Sequence, residues 1–399
     1  MVKTKVSDLA LLGGNPAFDE ALHVGRPNIG NRERLLARIN HMLDERWLSN
    51  HGPFVQELEQ KIADFLGVKH CIVMCNATVA LEITARALGL RGEVILPSFT
   101  FIASAHALQW QEITPVFCDV DPLTHNINPD RIENLITPRT TGIPGVHVWG
   151  RACDVARLSS IAQKHGLKLM FDAAHAFGCT HQGQMIGGFG DAEVFSFHAT
   201  KFFNTFEGGA ITTNNEELAH KIRSMGNFGF AGLDLVTDIG TNGKMSEISA
   251  AMGLTSLESL SEFVEINHAN YLAYSSGLKG IPGIRLAQYD EKEENNYQYI
   301  VMEVDEKAAG MGRDLLVKIL NAENILARRY FYPGCHQMEP YRSYFPNAGL
   351  VLPVTEQLTL KVLQLPTGTA IGEQEINQIC ELIRFVIAEV VKIRDSSEK

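Results

Sequence analysis

The stretch Val194-Phe195-Ser196-Phe197-His198-Ala199-Thr200-Lys201 decides how this 399-residue chain is expected to fold. Its apolar first half is typical of a buried strand, and the pair Gly208-Gly209 indicates that a loop follows it. Upstream, a second apolar run at residues 167–171 ends at Asp172 and predicts a neighbouring strand. Lysine is rarely buried without a partner, so Lys201 is either an ordinary surface charge or part of a site at the end of its strand.

Short apolar runs alternate with helical patterns on both sides of this stretch. The runs lie at residues 71–74, 94–96, 115–120, 145–148, 167–171, 194–197 and 210–212. The helical patterns lie at residues 32–46, 53–66, 78–88, 103–110, 156–165 and 216–225. Strands that alternate with helices predict an α/β fold with a mainly parallel seven-stranded sheet, flanked by helices on both faces.

The chain divides into an arm and two domains. Residues 1–30 are rich in glycine and proline and predict an extended N-terminal arm. Residues 31–260 form the large domain, whose pattern is interrupted by a polar, glycine-rich stretch at residues 226–243. A long helix at about residues 246–270 leads into a smaller α+β domain, residues 261–399. This domain contains a strand at 297–304, a last helix at about 373–391 and a charged tail from 392 that we expect to fray.

Composition excludes several classes of protein. Hydrophobic residues make up 45% of the chain and charged residues 20%, which is typical of a globular protein. The net charge of -11 argues against nucleic acid as the main partner. Seven cysteines at scattered spacings do not form a disulfide framework, and the histidines lack the spacing of a metal site. Without a secretory signal or a stretch of 18 apolar residues, we expect a cytosolic chain with no membrane span.

Lys201 and Asp172 together suit the chemistry of pyridoxal phosphate. This cofactor forms a Schiff base with a lysine, and an acidic side chain keeps its ring nitrogen protonated. Both residues follow predicted parallel strands, whose ends meet at one edge of a sheet. The alternative for Asp172 is an aspartate that caps a turn at the end of its strand.

The triplet Asn76-Ala77-Thr78 is the candidate for a phosphate site. It follows the run at residues 71–74 and opens a helical pattern, and the free N–H groups of a helix N-terminus favour a phosphate dianion. Ser196 could add a hydroxyl group to the same phosphate. An ordinary helix N-cap formed by Asn76 or Thr78 is the alternative.

Two further side chains are candidates for contacts with the cofactor ring. Phe101, in the segment Ser98-Phe99-Thr100-Phe101 after a predicted strand, could cover the ring face. A core phenylalanine is the alternative. His175 lies three residues after Asp172 and could donate a hydrogen bond to the phenolic oxygen, although isolated histidines are usually structural.

The chain resembles the DegT/DnrJ/EryC1/StrS aminotransferases, fold type I enzymes that act on nucleotide-linked keto-sugars. The resemblance covers nearly the whole chain, with its motifs in a fixed order. These motifs are Trp47-Leu48-Ser49-Asn50-His51-Gly52-Pro53, Pro97-Ser98-Phe99-Thr100-Phe101, Asp172-Ala173-Ala174-His175-Ala176, Phe195 to Lys201, Glu207-Gly208-Gly209-Ala210, Asn227-Phe228-Gly229-Phe230, Gly240-Thr241-Asn242, Lys244-Met245-Ser246-Glu247 and Pro333-Gly334-Cys335-His336. The small-Gly-Thr phosphate motif that is usual in the family is Asn76-Ala77-Thr78 here. That difference is compatible with binding through backbone N–H groups.

The resemblance implies roles for the residues above and adds others. Lys201 would form the Schiff base, with Asp172 at the ring nitrogen, His175 at the phenolic oxygen and Phe101 on the ring face. Ala77, Thr78 and Ser196 would bind the phosphate. Asn242 would reach the cofactor phosphate of the neighbouring subunit, which makes the active unit a homodimer with shared sites. His336 is expected in the sugar-nucleotide pocket, and Tyr332 and Arg329 are weaker candidates there.

The motifs are most similar to the branch of the family that acts on dTDP-4-keto-6-deoxyglucose. This similarity implies L-glutamate as the amino donor and dTDP-4-amino-4,6-dideoxy-D-glucose as the product. A 3-keto-sugar aminotransferase, a lyase of the same fold and a non-catalytic binding or regulatory protein are the alternatives. In the deoxygenating relatives histidine replaces the lysine, so Lys201 argues against the lyase. The nucleotide preference, the configuration at C4, the pathway product and assembly beyond the dimer stay open.

Overall fold

The computed structural model describes residues 3–397 of the chain. Within these residues, the α-helices are α1 (Arg32–Glu45), α2 (Pro53–Leu66), α3 (Ala77–Ala87), α4 (Ile102–Gln109), α5 (Pro129–Ile132), α6 (Val155–His165), α7 (Glu216–Gly226), α8 (Glu247–Glu258), α9 (Leu260–Gly277), α10 (Glu306–Ala309), α11 (Arg313–Ala322), α12 (Tyr341–Tyr344), α13 (Pro353–Lys361), α14 (Glu373–Ala388) and α15 (Val390–Ser397). The strands are β1 (Leu22–His23), β2 (His70–Met74), β3 (Glu93–Pro97), β4 (Thr114–Cys118), β5 (Thr140–Val146), β6 (Lys168–Asp172), β7 (Thr180–His181), β8 (Gln184–Met185), β9 (Ala192–Ser196), β10 (Gly209–Thr213), β11 (Ile284–Leu286), β12 (Ile300–Val304), β13 (Ile325–Leu326) and β14 (Val362–Leu365).

The central sheet has seven strands in the order β2-β10-β9-β6-β5-β3-β4. Its pairings are parallel except for those of β10, which runs antiparallel to both of its neighbours. The strands are apolar and buried along most of their length, as expected for a sheet that is covered by helices on both faces. The predicted mainly parallel seven-stranded sheet is therefore confirmed.

A second core lies around the antiparallel sheet of β11, β12 and β14. Ile300 of β12, Leu320 of α11 and Ile383 of α14 are fully buried in this core. The N-terminal arm contributes Leu9 to the same core, and its strand β1 pairs in parallel with β13. The arm therefore packs against the C-terminal half of the chain. The domain boundaries at residues 30 and 260 stay a prediction.

Two helical segments differ from the prediction. The helix expected at residues 246–270 is two helices, α8 and α9, because the backbone of Ser259 between them is not helical (φ -105, ψ 8). Serine favours helix ends over helix interiors. The tail from residue 392 is helical as far as Ser397 rather than frayed, and residues 398 and 399 lie outside the described residues.

The strand expected at residues 145–148 lies earlier, at β5. It ends at Val146 because the backbone of the next residue, His147, is not extended (φ -79, ψ 73) and a short 3₁₀ helix follows at Val148–Gly150. None of the helices within residues 3–397 is long and apolar enough to cross a membrane.

Candidate active site

The carboxyl ends of the parallel strands meet at one edge of the central sheet. There β2 leads into Asn76, β6 ends at Asp172 and β9 ends at Ser196. The antiparallel β10 starts at the same edge with Gly209, which pairs with both Met74 and Ser196. These strand ends border a cavity of about 360 Å³. Ligands of parallel α/β sheets bind at this kind of edge.

The cavity brings together eight of the residues that the sequence singled out. They are Asn76, Ala77, Thr78, Phe101, Asp172, His175, Ser196 and Lys201. They come from four strand ends and the loops that follow them. Their contacts with a cofactor stay a prediction, but their proximity follows directly from the strand order.

Lys201 lies in the loop after β9, with its amine in the cavity. Its Nζ donates a hydrogen bond to the hydroxyl group of Tyr299 at 2.9 Å. Burial lowers the pKa of Lys201 from 10.5 to about 8, although the negative charge of Asp172 opposes this shift. An amine with this pKa is partly neutral near pH 8, so it can act as a nucleophile and as a base.

Asp172 is a buried carboxyl group at the end of β6. Its Oδ2 accepts a hydrogen bond from Ser104 Oγ at 2.7 Å, and its Oδ1 accepts one from the N–H of Ala174 at 3.1 Å. Burial raises the pKa of Asp172, whereas these two hydrogen bonds and the charge of Lys201 oppose the rise. The site therefore gains electrostatically from a cation beside this carboxylate.

The N-terminus of α3 forms one wall of the cavity. The Asn76 side chain caps it by accepting a hydrogen bond from the N–H of Val79 at 2.8 Å. The N–H groups of Ala77 and Thr78 have no carbonyl partner within the helix and remain available to an anion. A Cβ atom on Gly209 would lie 2.8 Å from Ala77 N, so only glycine allows β10 to pack this closely. The N-cap and the phosphate site are thus compatible.

His175 is neutral and carries its proton on a defined nitrogen. Its Nδ1 accepts a hydrogen bond from the N–H of Trp149 at 3.2 Å, which leaves the proton on Nε2. Burial lowers the pKa of His175 well below its usual value, and the charge of Lys201 lowers it further. The ring packs against Tyr299, with 4.5 Å between the ring centroids.

Phe101 is 53% exposed on the rim of the cavity, directly before α4. It is therefore not a core residue, which was the alternative for this position. Phe99 fills that role instead, because it is fully buried and packs edge-to-face against Phe331.

The other side of the cavity comes from a part of the chain that the sequence did not connect to the site. It consists of Gln298, Tyr299, Arg328, Tyr330 and Phe331. Residues 297–304 were predicted as a strand, but no local pattern relates them to Lys201, since the contact depends on how the two cores meet.

Four predicted site residues do not line the cavity. Asn242 is exposed in the loop before α8, next to Gly243, whose carbonyl oxygen accepts the N–H of Cys75. His336 is 2% exposed, and its ring nitrogens bond Ser98 Oγ and Glu356 Oε1, both at 2.7 Å.

Tyr332 and Arg329 lie together at the surface, with the guanidinium 4.6 Å from the ring centroid. Contacts of Asn242, His336, Tyr332 and Arg329 with a ligand or a partner subunit stay predictions.

Comparison with known proteins agrees with this site. The chain is 39% identical over 371 residues to the dTDP-4-amino-4,6-dideoxy-D-glucose transaminase of Shigella dysenteriae, an alignment that covers 92% of this chain and 100% of the relative. It is 36% identical to the Escherichia coli enzyme of the same name, with coverage of 92% and 98%. The crystal structure of DesI in the presence of its TDP-sugar product superposes with a TM-score of 0.94 at 48% identity, covering 99% of this chain and 100% of that one.

The family assignment rests on a match over most of the chain and not only on the residues of the site. The sequence profile of the DegT/DnrJ/EryC1/StrS aminotransferase family matches residues 30–384, which include the central sheet, most of the second core and every residue of the cavity after the arm. The chain belongs to the DegT/DnrJ/EryC1/StrS aminotransferase family.

Proposed function

We propose that this aminotransferase uses pyridoxal 5′-phosphate to transfer the amino group of L-glutamate to the C4 keto group of a nucleotide-linked 4-keto-6-deoxy sugar. The product would be dTDP-4-amino-4,6-dideoxy-D-glucose. The observation that carries the proposal is the cavity in which Lys201, Asp172 and the N-terminus of α3 meet. The similarity to two dTDP-4-amino-4,6-dideoxy-D-glucose transaminases supports this sugar as the product. The TDP-sugar product in the DesI structure supports a thymidine nucleotide as its carrier.

The residues of the cavity fit the proposed cofactor. A protonated ring nitrogen would offset the burial that raises the pKa of Asp172. The free N–H groups of Ala77 and Thr78 suit its phosphate, with the Ser196 hydroxyl nearby. The exposed ring of Phe101 offers an apolar face on the rim.

The chemistry divides between the cofactor and the protein. When bound, pyridoxal 5′-phosphate supplies an aldehyde that condenses with amines and a ring that accepts electrons. The Lys201 amine takes the proton from the Cα atom of glutamate and, in the second half of the cycle, delivers a proton to C4 of the sugar. Tyr299 orients this amine through the hydrogen bond to Nζ. Asp172 holds a negative charge in place, and His175 offers its Nε2–H as a donor.

The proposal includes a homodimer in which Asn242 reaches the cofactor phosphate of the neighbouring subunit. The loop before α8 exposes Phe228, Leu233 and Ile239, which are 48%, 97% and 75% exposed. Burial of these exposed apolar side chains against a second copy would be favourable. A cytosolic location stays a prediction.

Three predicted substrate-binding residues that do not line the cavity have different proposed roles. His336 would act through Ser98, because its two ring nitrogens are already bonded within the protein. It would thereby hold the segment that carries Phe101. Tyr332 and Arg329 are proposed to contact the nucleotide.

Absorption spectra of the cofactor-loaded protein test the proposal. L-glutamate should remove the visible band of the bound cofactor, and dTDP-4-keto-6-deoxyglucose should then restore it. Lys201→Ala should show no such cycle, whereas Lys168→Ala, which removes an exposed lysine on β6, should behave as the wild type. A band that does not respond to glutamate would contradict aminotransferase activity. A band that is lost but not restored would contradict the 4-keto sugar, and a 3-keto sugar would be tried next.

A further inference from the structure

We infer that Gln298 and Arg328 form the binding site for the α-carboxylate of the amino donor. This inference rests on the proposed function and extends it to a contact that neither the sequence motifs nor the cofactor-binding residues explain. Both side chains line the cavity, next to β12 and β13 in the C-terminal half of the chain.

The first observation is a buried amide donor without a partner. Gln298 is 7% exposed, and its Nε2 has no hydrogen-bond acceptor among residues 3–397. It lies close enough to the Tyr299 hydroxyl to oppose the rise that burial causes in the pKa of Tyr299, but it lacks the geometry of a hydrogen bond. Leaving such a group unpaired is unfavourable, because its hydrogen bonds to water are lost and not replaced. An acceptor oxygen on a ligand would remove this cost.

The orientation of this amide is fixed by the backbone. Its Oε1 accepts a hydrogen bond from the N–H of Phe202 at 3.3 Å. Rotation of the amide by 180° would set its NH₂ group against that N–H, donor against donor. Nε2 therefore points away from Phe202, the residue next to Lys201, in a side chain that lines the cavity.

The second observation is a guanidinium without a carboxylate. Arg328 Nη1 donates to the Tyr330 hydroxyl at 2.9 Å, and no carboxylate lies within 4 Å of the guanidinium in the described part of the chain. The next residue, Arg329, in contrast pairs with Asp314 at 3.1 Å. The backbone of Arg328 is held at both N–H and C=O by Gln364. An unpaired guanidinium on a fixed backbone suits a planar carboxylate.

The position of these groups favours the carboxylate of the amino acid over the diphosphate of the sugar nucleotide. In glutamate, the α-carboxylate is bonded to the same carbon that gives its proton to Lys201, so it must lie near Nζ. In the sugar nucleotide, the diphosphate is attached at C1, across the ring from the reacting C4. Gln298 and Arg328 line the same cavity as Lys201, as expected for groups that bind the α-carboxylate.

Two single-turnover half-reactions separate these possibilities. Protein loaded with pyridoxal 5′-phosphate is mixed with L-glutamate, and protein loaded with pyridoxamine 5′-phosphate is mixed with dTDP-4-keto-6-deoxyglucose. Arg328→Ala and Gln298→Glu are each expected to weaken the glutamate half-reaction by about 10- to 100-fold, because a hydrogen bond to a charged group is lost or replaced by repulsion. The sugar half-reaction should change much less. Arg157→Ala, which removes an exposed arginine on α6, controls for loss of a positive charge.

A change in the ligand, instead of in the protein, also tests the contact between Arg328 and the α-carboxylate. L-isoglutamine has an uncharged amide in place of the α-carboxylate. The wild-type protein should strongly prefer glutamate to L-isoglutamine, and Arg328→Ala should lose most of this preference. An unchanged preference in Arg328→Ala would overturn the inference, as would an equal loss in both half-reactions. A loss confined to the sugar half-reaction would assign Arg328 to the diphosphate instead.

Equilibrium binding keeps this inference distinct from the proposed function. α-Methyl-L-glutamate cannot give up a proton at Cα, so its dissociation constant requires no turnover. If the wild type turns over no sugar but binds this probe about 10-fold or more tightly than Arg328→Ala does, the carboxylate site stands and the proposed sugar fails. If the wild type and Arg328→Ala bind it equally, the carboxylate site fails whatever the sugar substrate is.

Discussion

A single backbone N–H determines which proton His175 can offer. Trp149 donates that N–H to Nδ1 and also packs flat against the imidazole, with 5.7 Å between the ring centroids. Its own backbone is in the left-handed region, which is unusual for a bulky residue and costs of order 1 kcal/mol. The indole N–H donates in turn to the buried His125 at 3.0 Å. These two hydrogen bonds thus offset the backbone strain at Trp149, and the one to Nδ1 fixes the tautomer of His175.

At the residue scale, the pKa of Lys201 gives a prediction about pH. The neutral amine is the nucleophile, and burial lowers its pKa from 10.5 to about 8. The rate at which cofactor-free protein captures pyridoxal 5′-phosphate should therefore rise with pH through a midpoint near 8 and level off above it. Stopped-flow absorbance measures this rate. A free lysine derivative, measured in parallel, accounts for titration of the cofactor itself and should still be accelerating at pH 9. A protein profile that follows the free lysine would contradict the buried environment of Lys201.

At the element scale, the start of α3 combines a structural cap with a binding site. Asn76→Ala should destabilise the protein by about 1 kcal/mol, the usual cost of a lost N-cap, and should also weaken cofactor binding. Asn215 caps α7 in the same way, by accepting the N–H of Leu218, but it does not line the cavity. Asn215→Ala should thus cost similar stability and leave cofactor binding unchanged. Urea unfolding and cofactor titration by fluorescence measure the two effects.

Equal cofactor affinities in Asn76→Ala and Asn215→Ala would show that the helix N-terminus does not bind the phosphate. A loss of affinity in both variants would attribute the effect to stability alone. The comparison is informative because the two helices have the same length, 11 residues, and the same type of cap.

The sequence predicts the strands and helices of the central sheet better than it predicts the full set of residues in the site. Parallel strands are buried on both faces, so each one appears as an apolar run, and the residues after those runs meet at one edge of the sheet. Asp172 and Lys201 could therefore be paired before the structure was known. Tyr299 could not, because it lies 98 residues from Lys201 and meets it only when the second core packs against the first. Ser104 likewise has no sequence signal, since its role depends on the turn of α4 that faces Asp172.

At the scale of the whole molecule, the N-terminal arm is attached by a buried ion pair. Lys3 Nζ lies 2.9 Å from Glu323 Oε2, and both side chains are almost completely buried. The same carboxylate accepts the N–H groups of Ala10 and Ala17, both at 2.7 Å. Glu323 therefore holds the start of the arm in place through contacts with three of its residues. Further along the arm, residues 24 and 25 line the cavity, so the arm also borders the site.

Glu323→Gln should destabilise the protein strongly, by about 3–5 kcal/mol, because it removes the carboxylate that pairs with the buried charge of Lys3 and leaves Nζ with hydrogen bonds to the carbonyl oxygens of Asp8 and Asn15. The exposed pair of Asp130 and Arg157 provides the control, and Asp130→Asn should cost no more than about 1 kcal/mol. Urea unfolding monitored by circular dichroism measures both. A Glu323→Gln variant as stable as Asp130→Asn would mean that the buried ion pair contributes little to the stability of the folded state.

The proposed dimer makes a prediction that only a two-subunit molecule can satisfy. If Asn242 serves the site of the neighbouring subunit, a hybrid of one Lys201→Ala subunit and one Asn242→Ala subunit contains one site in which both residues are intact. Equal mixing gives hybrids as half of all dimers, so activity should recover to about a quarter of the wild type. If Asn242 instead serves its own subunit, each site of the hybrid lacks one residue, and the mixture should be no more active than its parents. Joint refolding of the two variants, followed by the glutamate and keto-sugar assay, distinguishes these arrangements. Each parent refolded alone is the control, because the recovery must exceed the sum of both.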